Sequence, residues 1–172
     1  MFGYDKVLPM NSGVEACETS VKLARKWAYK KKKVAENQAK VVFASNNFWG
    51  RSLAAVSSST DPSSYEGFGP FMPGFKIVSY DDISELDRAL EDPNVAAFMF
   101  EPIQGEAGVI VPSQASKMRT PLHRLSTRSV VAHAISPIPY PLHQYPHNSY
   151  VFILLPLLNH VPSQPAELRR DR

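Results

Sequence analysis

The sequence predicts an α/β protein built on a mostly parallel sheet with flanking helices, and three observations carry that prediction. Short apolar runs, "KVVFA" at 40–44, "KIVSY" at 76–80 and "VAAFMF" at 95–100, read as strands. Segments with helical spacing lie before the first run and between the second and third. The third run is apolar at successive positions, which suits a central parallel strand covered on both faces. Strands alternating with helices in this way argue for a layered architecture.

The elements follow in order. From Val14, the residues Cys17, Val21, Ala24 and Ala28 fall at helical spacing, and Trp27 joins their face. Ser12 is the expected N-cap, Glu15 completes a capping box, and "KKKK" at 30–33 is a solvated helix end with cations suited to the dipole. After the first strand, "GRSLAAVSSS" at 50–59 predicts a short helix. "TDPSSYEGFGPFMPGF" at 60–75, dense in glycine and proline, predicts an irregular loop. "DDISELDRALED" at 81–92 predicts a helix with Ile83, Leu86, Ala89 and Leu90 on one face. Asp82 and Glu85 cap its start, and Pro93-Asn94 follow its end.

At Ser113 the composition changes. Residues 1–113 hold all eight glycines, no histidine, and 12 Lys and Arg against 14 Asp and Glu. Residues 114–172 hold no glycine, all five histidines, eight of the fifteen prolines, and 7 basic against 2 acidic residues. The overall charge of +3 therefore describes neither part. The organisation expected is an ordered unit over 1–113 followed by a largely disordered, Pro/His-rich tail over 114–172. One cysteine, Cys17, permits no internal disulfide. The apolar run at 151–158 is too short to span a bilayer. The tail arginines 119, 124 and 128 lack interleaved aromatics, which argues against a nucleic-acid module. The tail histidines have no helix to gather them, so no metal site is expected. The first residues carry no recognisable targeting pattern.

Three places combine residues that could carry chemistry. Ser12 and Gly13 precede a helix whose free N–H groups favour an anion by about 0.3–1 kcal/mol; a plain cap accounts for them equally. In "FASNNFWGR" a buried strand runs into Phe48, Trp49, Gly50 and Arg51. An aromatic there could stack on a flat ring and an arginine could clamp a carboxylate; core packing and a surface ion pair are the alternative. In "VAAFMFEPIQGEAG" a strand ends in Glu101, with Glu106 after a glycine turn. The two acids could position a cation or simply solvate the strand end.

The order and wording of these segments, "NSGVEA" at 11–16, "NFWGR" at 47–51, "SSSTDPSSYEGFGPFMPGF" at 57–75 and "DPNVAAFMFEPIQGEAGVIVP" at 92–112, resemble the class-III pyridoxal-phosphate aminotransferases over about residues 2–113. Val14 and Trp49 are the choices typical of the ornithine branch. The resemblance implies an incomplete large domain of a fold-type-I pyridoxal-phosphate transferase. It also implies a ping-pong transamination from L-ornithine to a 2-oxoacid, giving glutamate semialdehyde and an amino acid. Ser12, Gly13 and Val14 would lie at the phosphate of pyridoxal 5'-phosphate. Phe48 would stack on its ring with Trp49 beside it, and Glu101 would line its site. Arg51 would receive the substrate α-carboxylate, and Glu106 would gate which amino group is presented. No lysine of this sequence lies in a Gly/Ser turn after a buried strand, so the expectation is a chain without the family's Schiff-base lysine or its pyridinium acid, and inactive alone. The alternative function is a non-catalytic fragment that associates with full-length subunits or misfolds. Members of the family are homodimers, and full-length relatives work in the mitochondrial matrix; without an import segment this chain would remain in the cytoplasm.

Overall fold

A computed structural model describes residues 8–101, 103–113, 130–135 and 151–155. Its core is a sheet in the order β2-β1-β3-β4-β5, made of β1 (Lys40–Ala44), β2 (Phe75–Val78), β3 (Val95–Phe100), β4 (Val130–Ile135) and β5 (Val151–Leu155). The first four strands are mutually parallel, and β5 pairs antiparallel with β4. The three expected strands are therefore present, with β3 in the centre. Two further strands lie within 114–172, where the sequence predicts little order; the rest of that segment lies outside the described residues.

Alternation along β1 divides the core into two layers. Val41 and Phe43 face the long helix α1 (Gly13–Trp27), against Cys17, Val21 and Ala24. Val42 and Ala44 face the opposite side, against Leu86 and Ala89 of α4 (Ile83–Leu90). All of Val95–Met99 in β3 is buried, as a strand covered on both faces requires.

Local chemistry sets the boundaries. Ser12 is extended and accepts the Glu15 N–H at 3.4 Å, while its hydroxyl donates to the Glu15 carboxylate at 3.1 Å. The helix widens into a π turn over Ala28–Lys32 and stops at Lys33, which adopts a left-handed conformation. The lysine run is thus more than a solvated end: the Lys32 ammonium donates to the Val95 carbonyl at 2.6 Å. The helix expected over 50–59 is a single turn, α2 (Leu53–Val56), capped by Ser52. Another turn, α3 (Pro62–Tyr65), interrupts the expected irregular loop, because Asp61 caps it and proline occupies its first position. Strand β2 begins one residue early, with the Gly74 carbonyl already accepting the Val41 N–H. It ends early because the Tyr80 N–H turns aside to the Ser45 hydroxyl.

Candidate functional site

The turns beyond β1 and β3 meet at the C-terminal edge of the sheet, where ligands bind in open parallel sheets. The chain leaves β1 through Ser45–Arg51. Asn47 holds this turn by donating its amide to the Ala44 and Ser58 carbonyls, both at 2.8 Å. Gly50 has φ +141, and a Cβ there would lie 2.4 Å from Val14 Cγ2. This close approach needs glycine, and it presses the turn against the first residues of α1. Ser12, Gly13 and Val14 are therefore neighbours of the turn that bears Phe48 and Arg51.

A cavity of about 450 Å³ opens beside this turn. Phe48, Leu53, Val56 and Phe68 form its apolar wall; Arg51, Asp61, Ser63, Ser64 and Glu106 supply polar groups. The Arg51 guanidinium lies 5.9 Å from the centre of the Phe48 ring, within cation–π range, and forms no ion pair among the described residues. Phe48, Arg51 and Glu106 are thus brought together in one wall.

The other sequence candidates, Ser12, Gly13, Val14, Trp49 and Glu101, are not among the residues that line this cavity. Trp49 points the opposite way from Phe48, into the core. It is buried, stacks on Phe43 with ring centres 5.6 Å apart, and donates its indole N–H to the Ser58 hydroxyl at 2.6 Å. Glu101 reaches under the turn. One carboxylate oxygen accepts the Phe48 N–H at 2.9 Å and the other the Gly105 N–H at 3.4 Å. Burial pushes its pKa up, the two N–H groups oppose that shift, and the nearby Glu106 adds to it.

Several residues of the site escape the sequence reading. Gln104 is fully buried and donates its amide to the Ser45 carbonyl at 2.6 Å. Tyr80 donates its hydroxyl to the Glu101 carbonyl at 3.2 Å. Asp61, Ser63 and Ser64 line the cavity but lie in a loop whose composition announces only irregularity. For Gln104 alone a signal exists, its place between a strand-end acid and a glycine turn.

The donor set suits a flat, anionic heterocycle. The N–H groups of a helix start adjoin the turn, a half-buried aromatic ring faces the cavity, and a guanidinium with no ion pair among the described residues stands beside that ring. The cavity volume falls in the usual range of about 300–1,000 Å³ for small-molecule sites. Among the described residues, no cluster of His, Cys, Asp and Glu could hold a metal ion, and no helix is long and apolar enough to cross a membrane.

Comparison with known proteins agrees with this geometry. The sequence model of the family described as Aminotransferase class-III matches residues 1–121. The mitochondrial ornithine aminotransferase of Drosophila ananassae is 70% identical over 113 residues, covering 66% of this chain and 26% of that protein. Its counterpart in Rattus norvegicus is 69% identical over 112 residues, covering 65% and 26%. The chain thus spans about a quarter of the length of these relatives. Among solved structures, the ornithine aminotransferase of Toxoplasma gondii superposes with a TM-score of 0.69 at 42% identity, over 78% of this chain and 38% of that one. A second structure of that enzyme has partial occupancy of PLP at its active site. With its parallel sheet, its helix-to-turn contact and its cavity at the strand ends, the chain belongs to the class-III aminotransferases.

Proposed function

We propose that residues 11–106 form the recognition part of an ornithine aminotransferase site: they hold pyridoxal 5'-phosphate and the substrate carboxylate. The observation that carries this reading is the Arg51 guanidinium, stacked over Phe48 in the cavity wall with no carboxylate partner among the described residues. An arginine left in this state can form two parallel hydrogen bonds to the α-carboxylate of an amino acid. Ser12, with the N–H groups of Gly13 and Val14, binds the cofactor phosphate, and Phe48 covers the pyridine ring. Trp49 acts through packing, by anchoring the turn from below. Glu101 borders the ring, and Glu106 faces the substrate end of the cavity, where it orients a cationic amino group. When bound, the cofactor supplies the electron sink that amino-group transfer from L-ornithine to a 2-oxoacid requires.

The amine that would hold the cofactor covalently belongs to another part of the full-length enzyme. This chain by itself binds but does not turn over ornithine. Mitochondrial residence, as in the named relatives, belongs to the same reading of the full-length protein. So does pairing with a second subunit through the exposed Phe68, Phe71, Ile103 and Val109.

The test is borohydride reduction of the purified chain with pyridoxal phosphate, followed by peptide mass analysis and an ornithine-turnover assay. The reading expects no stoichiometric label on any one lysine and no turnover. A single fully labelled lysine together with turnover would overturn it.

A further inference from the structure

Beyond the cofactor contacts, and resting on the reading above for its functional meaning, we propose that Glu101 and Gln104 are positioning residues. Together they staple the Ser45–Arg51 turn to the turn beyond β3, and so fix Phe48 and Arg51 over the cavity.

A tight turn at a sheet edge leaves N–H and C=O groups without ladder partners, and each must be satisfied. Here the neighbouring turn satisfies one of each, using side chains of matched polarity. Glu101, an acceptor, takes the Phe48 N–H at 2.9 Å. Gln104, a donor, gives its Nε2 hydrogen to the Ser45 carbonyl at 2.6 Å. Both residues are braced from their own side. The second Glu101 oxygen takes the Gly105 N–H at 3.4 Å, and Gln104 exchanges two backbone hydrogen bonds with Ile110 at 3.0 and 2.8 Å. Tyr80 closes the arrangement, its N–H on the Ser45 hydroxyl and its own hydroxyl on the Glu101 carbonyl.

The Gln104 amide also fixes the sense of the contact. Its Oε1 is buried with no partner among the described residues, so the Nε2 donor makes the side chain's one hydrogen bond among them. Filling space would not need an amide. The consequence is specific to the site: Phe48 stacks and Arg51 clamps only while the backbone between them is held.

Two near-isosteric variants test this. Glu101→Gln replaces a two-sided acceptor by an amide that must turn an N–H toward one of the two donors. Gln104→Glu replaces the donor by a carboxylate facing a carbonyl. Hydrogen–deuterium exchange of the full chain is followed in peptides covering 45–51 and, as an internal control, 40–44. The expected result in each variant is exchange about ten-fold faster in 45–51, the loss of one hydrogen bond, with 40–44 unchanged. Gln104→Glu should recover slow exchange, relative to wild type at the same pH, as acidification protonates the new carboxyl and restores a donor; a packing role would not respond. Unchanged exchange in both variants, or an equal rise in 40–44, would overturn the staple. Exchange is measured without cofactor. Failure of the wild-type chain to bind pyridoxal phosphate would therefore sink the functional reading and leave the staple to be decided by exchange.

Discussion

Cys17 is buried and Glu101 is half-buried, and the Glu101 carboxylate raises the cost of charging the thiol. Burial pushes the Cys17 thiol far up, and the carboxylates of Glu101 and Glu18 push it further. The thiol is therefore inert in the fold. We predict that a disulfide reagent at neutral pH modifies Cys17 only after denaturant is added; rapid native-state labelling would show that α1 does not cover it. For Glu101 the folded pKa is above its unfolded value, so the fold favours the protonated acid. Its contribution to stability is fully present below the unfolded carboxyl pKa, about 4.3, and is lost as pH rises through the folded value. Thermal unfolding of wild type and Glu101→Gln across pH 4–8 checks this. Wild type should lose ground relative to the variant as pH rises. A pH-independent difference would contradict the assignment.

Among the elements, β1 decides the most, because its two faces belong to different layers and its end launches the Phe48–Arg51 turn. Phe43 is fully buried, stacked on Trp49 and edge-on to Phe75 at 4.9 Å. Replacing it by alanine should cost about 3–5 kcal/mol, from lost transfer energy plus the cavity left behind. The loss should register in denaturant unfolding together with a red-shifted tryptophan emission. A cost below about 1 kcal/mol would mean that the aromatic cluster is not packed as described. Strands of this kind were legible in the sequence because a doubly covered strand must be a continuous apolar run: β1 and β3 have the boundaries expected. Element ends were less legible. Tyr80 leaves β2 because a hydroxyl 35 residues earlier captures its N–H, and the Lys32 ammonium reaches from the helix end to a carbonyl on β3. Such long-range polar contacts leave no local pattern. The same holds in the site. Phe48, Arg51 and Glu106 could be read from strand-end position, whereas Trp49, one residue further along, turns inward, and Gln104 acquires its role only through a turn 59 residues away.

For the molecule as a whole, the arrangement explains how one segment gathers Phe48, Arg51 and Glu106 at one cavity. A central strand covered on both faces fixes the sheet edge. Gly50 against Val14 brings a helix N-terminus to that edge, and the cavity walls come from the loops on either side. Strands β4 and β5 continue the sheet beyond β3 from sequence whose prolines and missing glycines conceal them. The exposed apolar residues Phe68, Phe71, Ile103, Val109 and Val111 lie on loops. If this chain holds a phosphate-bearing pyridine by non-covalent contacts alone, as proposed, titrating its tryptophan emission with pyridoxal 5'-phosphate will give saturable quenching. Pyridoxal, which lacks the phosphate, will quench far more weakly. No saturation, or equal quenching by both, would contradict the proposal.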